Sequence, residues 1–109
     1  MANTFKLKTK ANVGLTTVGI YTAPAATTTV VIGITLANTS GSGVNVGVGI
    51  TRAGTTEDVK LLKNAPIPQG SSLEFMAGNK VVLETTDTVT VDSDTNNSVD
   101  ATLTIMEIT

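Results

Sequence analysis

The chain contains no cysteine, no histidine and no tryptophan, and each absence removes a class of chemistry. Without cysteine there is no disulfide and no thiolate metal site, so the fold must hold without covalent staples. Without histidine, the Ser–His–Asp and Cys–His arrangements are excluded, along with the commonest zinc ligand. Aromatic residues are only 3% of the chain, Phe5, Tyr21 and Phe75, so a core must be aliphatic and a lectin-type stacking platform is hard to build. Charge is also sparse, at 15% with a net of −2, which offers no overall attraction for nucleic acid or for an anionic membrane. No apolar run nears the ~18–20 residues of a membrane span, and the longest, Val30 to Ala37, suits a strand. The opening MANTFKLKTK lacks the apolar centre of a secretory signal, so the expectation is a protein made and used without general secretion.

What is present is β-branched. Hydrophobic residues make up 40%, and threonine and valine dominate, both better suited to a pleated surface than to a helix. The strongest local signal runs from Thr28 to Thr51. Val30, Ile32, Ile34 and Leu36 alternate with small residues, then Val44, Val46, Val48 and Ile50 do the same after the break Asn38–Gly43. This pattern predicts a β-hairpin whose two apolar rows face the core. Gly33, Gly47 and Gly49 sit on the opposite rows, which suggests a face tightly covered by another sheet or by a neighbouring subunit.

Further strands are expected over Thr4–Lys10, Thr16–Thr22, Glu57–Lys63, Ser72–Phe75, Lys80–Leu83, Asp87–Asp92 and Val99–Ile108. Turns are expected at Asn12–Gly14, Arg52–Thr56, Ala77–Asn79 and Ser93–Ser98, and Gly78 can supply positive φ. The two prolines of Asn64–Gly70 argue against regular structure there, with Ile67 tucked into the end of the sandwich. About eight to nine short strands at this spacing predict an all-β, single-domain antiparallel β-sandwich of jelly-roll-like form spanning residues 1–109.

Few residues invite chemistry. Glu57 and Asp58 are adjacent, so a strand would turn them to opposite faces, and no pair of facing carboxylates for acid–base work stands out. No phosphate-binding loop is present, because the glycines of Gly41–Gly43 and Val46–Gly49 lack the following lysine and helix. The chain is therefore expected not to be an enzyme and to need no cofactor. Asp92, Asp94 and Asn96 match the opening of a calcium loop, but Asn97 and Leu103 stand where its glycine and bidentate glutamate belong. The stretch reads first as a solvated hairpin tip and second as a cation site. Lys6, Lys8 and Lys10 share one face of the first strand, either guarding a sheet edge or docking on an acidic partner.

Taken in order, IYTAPAATTTVVIGITLANTSGSGVNVGV, KNAPIPQGSSLEFMAGNKVVLETTDTVTV and DATLTIMEIT resemble small virion structural proteins of tailed bacteriophages, common among phages of marine cyanobacteria. The motifs that carry the resemblance are Tyr21–Ala25, Ala37–Thr39, Pro66–Gly70, Val82–Asp87 and Asp100–Ile108. The resemblance implies a non-enzymatic β-sandwich component located in the virion after synthesis in the host cytoplasm. The leading expectation is a capsid decoration or cement protein, in the form of a homo-trimer or other cyclic oligomer packed against the major capsid protein or other virion proteins. No nucleic acid or membrane partner is expected. A neck or tail collar, a fibre-attachment module, and a host-surface module binding glycans through Ser93–Ser98 and Asn38–Gly43 are the alternatives. The residues expected at interfaces are Lys6, Lys8, Lys10, Gly33, Gly47 and Gly49.

Overall fold

Period-two alternation produces strands throughout the computed structural model, which describes residues 3–53, 57–75 and 80–109. The later part of the Arg52–Thr56 turn and the Ala77–Asn79 turn with Gly78 lie outside the described residues. In chain order the strands are β1 (Asn3–Val13), β2 (Val18–Thr22), β3 (Thr28–Asn38), β4 (Val44–Arg52) and β5 (Glu57–Ile67). They continue as β6 (Ser72–Phe75), β7 (Val81–Leu83), β8 (Thr88–Ser93) and β9 (Val99–Ile108).

One sheet has the order β1-β9-β3-β6, with β7 also paired to β3, and the other has the order β2-β8-β4-β5. Every pairing is antiparallel. The pairs are nested: β1 with β9, β2 with β8, β3 with β6 and β7, β4 with β5. Such a ribbon, rolled so that successive pairs fall in alternate sheets, is a jelly roll, and the expected β-sandwich architecture is present.

The Thr28–Thr51 hairpin does not form. β3 and β4 lie in different sheets, and β4 pairs with β5 and β8 instead. The reason is local. Asn38 donates through Nδ2 to the carbonyls of Ser42 (2.8 Å) and Ile67 (2.9 Å), and its Oδ1 accepts from the Ser40 amide at 2.9 Å. The buried amide shapes the Ser/Gly stretch into a crossover between sheets, where a tight turn would have kept both strands in one.

The core lies between the two inner faces. Leu36, Leu103, Ile105 and Val48 are fully buried there, with Val44, Val46, Ile50, Val89, Val91 and Leu83 around them. The β4 row and the Val99, Ala101, Leu103, Ile105 row of β9 point inward as their alternation indicates. β3 departs from that rule. A register shift between Val31 and Gly33 makes Ile32 an extra residue, so Val31, Ile34 and Leu36 face the core while Val30 lies on the outer face. A second shift between Gly19 and Tyr21 turns Tyr21 inward beside Val89. Asn12, expected in a turn, lies within β1 with φ 59°, and Val13 after it is buried. β5 runs on through Pro66, because it is an edge strand and a missing N–H is tolerated there. Ile67 at its end is 1% exposed, as its place at the sandwich end requires.

Candidate functional site

β1 is an edge strand, so one side of its backbone has no partner strand among the described residues. Of its eleven residues Val13 alone is buried. Lys6, Lys8 and Lys10 oppose Ile105, Leu103 and Ala101, so all three ammonium groups lie on the inner face, at the open margin of the sandwich. Charges pointing inward on an edge strand block further pairing, because a new strand would have to bury them.

Lys6 also makes a specific contact there. Its Nζ lies 2.9 Å from Oε1 of Glu107, whose side chain is 8% exposed. Glu107 Oε2 accepts a 2.6 Å hydrogen bond from the Tyr21 hydroxyl, which also lies 2.8 Å from Thr29 Oγ1. The cluster ties β2 of one sheet to β1, β3 and β9 of the other. Burial, reinforced by the neighbouring Glu107 carboxylate, pushes the Tyr21 hydroxyl up to about 12. The same Tyr21 hydrogen bond, with that of Lys6, holds Glu107 below the usual carboxylate range. Lys8 Nζ stands 5.9 Å from the centre of the Tyr21 ring, within cation–π reach. Tyr21, 7% exposed, is thus a buried rivet between the sheets.

On the outer face of the same sheet the chemistry is reversed. Phe5 opposes Met106, Met106 opposes Val30, and Val30 opposes Val82, which makes one apolar row across four strands. Phe5 is 70% exposed, Leu7 63% and Val82 57%. Met106, Val30 and Ile108 are half-buried on the same side. One position along, Leu7 and Gly33 flank Thr104, and among the described residues no atom beyond its chain neighbours lies within 4 Å of where a Gly33 Cβ would stand. Among the described paired residues of this face, only Glu74 and Asp100 carry charge, both toward the far end. The signal for this row was available in the sequence as Phe5 and Leu7 alternating with lysines, but the pattern alone does not say which side faces the core.

Gly33 does not share a surface with Gly47 and Gly49, since β3 and β4 lie in different sheets. Above Gly47 and Gly49 the space is filled by the chain itself. A Cβ at Gly47 would stand 2.6 Å from Asp92 Oδ1, and one at Gly49 would stand 2.8 Å from the Val59 carbonyl. These two glycines serve the bulged pairing of β4 with β5 and the packing of β8 side chains.

The candidate cation ligands are separated in use. Asp92 Oδ2 accepts from Thr17 Oγ1 at 2.9 Å and faces Lys60 Nζ at 3.8 Å. Asp94 Oδ1 accepts from the Asn45 amide at 3.1 Å. Asn96 lies beside Gly14 in the tip. Among the described residues no group of three or more acidic side chains is placed to hold a metal. Near this tip a shallow groove of about 260 Å³ is lined by Lys10, Asn12, Leu15, Thr16, Asn96 and Asn97, with Val13, Gly14 and Val18 completing it. At the other end Arg52 bridges Glu84 through a guanidinium hydrogen bond of 3.0 Å and pairs with Asp87. Its Nε is 3.0 Å from Asp87 Oδ2 but off the line of a directed hydrogen bond, so that contact is ionic.

No family model matches the chain, and no curated protein matches it. Solved structures do match, at identities that speak for fold alone. A chain from a structure described as "Bacillus endospore appendages form a novel family of disulfide-linked pili" aligns with TM-score 0.59 and 16% identity, over 99% of this chain and 87% of that one. The infectious bursal disease virus VP2 subviral particle gives TM-score 0.58 and 12% identity over 96% of this chain. That alignment takes in 32% of the viral chain, so the present chain spans about a third of its length. A chain of the cyanophage Pam1 capsid asymmetric unit gives TM-score 0.53 and 14% identity, over 96% of this chain and 84% of that one. The fold therefore recurs in components of virus particles and of a pilus. The comparisons do not reach a particular family of tailed-phage proteins.

Proposed function

We propose that the chain is a structural subunit of a bacteriophage particle, a decoration or cement protein packed by non-covalent contacts where larger shell subunits meet. The supporting observation is the likeness to the cyanophage capsid chain, which runs over most of both chains. What is matched there is 84% of the other chain, in contrast to the 32% of the chain matched in VP2. A stiff roll with one sheet face apolar at one end suits a protein that works by repeating a contact around a symmetry axis. In this reading the partners are other copies, as a trimer or another ring, and the major capsid protein. The inward lysines keep β1 from pairing indiscriminately. Non-enzymatic action follows from the same reading.

Cryo-EM of the particles that carry the protein tests the proposal. Density at regular positions over the icosahedral shell is expected. A single ring at one vertex would move the protein to a neck or tail collar, and absence from purified particles would overturn the proposal.

The spore-appendage likeness favours a second reading, a repeating filament subunit. That pilus is described as disulfide-linked, and these 109 residues hold no cysteine, so such a filament would need another lock. Filaments formed by the purified protein would support it. Binding of the isolated protein on a glycan array would instead favour host-surface recognition, with the groove beside Asn96 and Asn97 as its site.

A further inference from the structure

We infer that the outer face of β1–β9–β3 is a self-docking surface that takes the same face of a second copy, Leu7 of each seated over Gly33 of the other. The inference deepens the assembly reading and rests on it. Three observations lead to it, and each concerns this face alone.

The first is its charge. Residues alternate along β1, so the lysines that turn inward leave Asn3, Phe5, Leu7 and Thr9 on the outside. Among the described residues paired in this face the apolar end carries no cation, exposed Lys80 standing just before β7 at the margin away from β1, and the outward carboxylate of β9, Asp100, is six residues from Met106, about 20 Å along the strand. A partner surface therefore needs to be neutral and apolar at this end, which this face itself is.

The second is its shape. A two-fold axis along β9, the middle strand, exchanges β1 with β3 between copies. Met106 and Thr104 then meet their own counterparts, Phe5 lies over Val30, and Leu7 lies over Gly33. Large exposed side chains fall on smaller or absent ones, and the open space above Gly33 receives the leucine. A flat sheet face accepts another at about 10 Å with interdigitated side chains.

The third is its size. Three strands and five residues of each cover roughly 240 Å² per copy, well under the ~800 Å² per partner of a stable complex. The contact is accordingly weak in solution and reversible, the kind that acts when many copies are held on one scaffold. It is a two-fold contact, distinct from those that would close a ring.

Sedimentation velocity on the purified chain from about 10 μM to about 1 mM tests this. Wild type is expected to shift reversibly from monomer to dimer. Gly33→Val adds bulk where a Cβ would meet no described atom within 4 Å, and Leu7→Ser removes the knob from an exposed position. Each should weaken dimerisation at least about ten-fold while melting like the wild type, and Leu7→Ser carries the test if Gly33→Val misfolds. Val59→Ser, on the other sheet, should leave dimerisation unchanged. A wild type that stays monomeric throughout, or variants that dimerise like it, would overturn the inference. Absence of the protein from particles, with the dimer intact in solution, would instead remove the assembly reading.

Discussion

Glu107 and Tyr21 form a buried polar pair, and each can be read in solution. The Tyr21 hydroxyl, raised to about 12, retains its proton in the folded state above the usual value of 10. Its contribution to stability is present below about pH 10 and is lost as pH rises toward 12. Tyr21 is the chain's one tyrosine and there is no tryptophan, so ultraviolet absorbance reports it without overlap. A midpoint near 12 is expected in the folded protein, and one near 10 would place the ring in water. Glu107 has the opposite sign. Its depressed carboxyl contributes stability above the ordinary glutamate range, and this is lost as pH falls through its folded value. Glu107→Gln should therefore flatten the acid-side fall in melting temperature. Tyr21→Phe should cost about 1–3 kcal/mol, because it leaves the buried carboxylate without its hydroxyl donor.

At the scale of the element, glycines and bulges decide more than apolar alternation does. Gly49→Ala should cost roughly 1–3 kcal/mol in urea unfolding, since the new methyl meets a backbone carbonyl at 2.8 Å. Gly33→Ala should change stability by less than about 0.5 kcal/mol or add slightly, its methyl meeting no described atom within 4 Å. Equal effects at both sites would contradict the packing. Ile34→Ala should cost about 2–5 kcal/mol, as Ile34 is 1% exposed. β1 buries one side chain of its eleven, so its amides should exchange with deuterium faster than those of β9 and β3.

The same features show what could be read in advance. The rows of β4, β8 and β9 were legible because they alternate without interruption, and the lysine row of β1 was legible as a shared face. Ile32 and Ile20 were not, because an extra residue in a strand leaves no mark on composition and reverses every side chain beyond it. Pro66 misled for a related reason: whether a missing N–H matters depends on having a neighbour on that side, and strand order is not local information. The apolar row Phe5–Met106–Val30–Val82 joins four strands distant in sequence, so beyond the alternation of Phe5 and Leu7 with lysines it left no mark in the sequence.

For the whole molecule, β9 lies between β1 and β3 and pairs with both along nearly its full length. On the ribosome β9 emerges after the other eight strands. Until then β1 has no partner, β3 lacks the neighbour on one side, and the long loop between them must be closed against chain entropy. Phe5, Met106 and Val30 come into line only when that last strand inserts. A nascent chain thus cannot bring this row together before β9 has emerged, so the face proposed for association is withheld until all nine described strands are present.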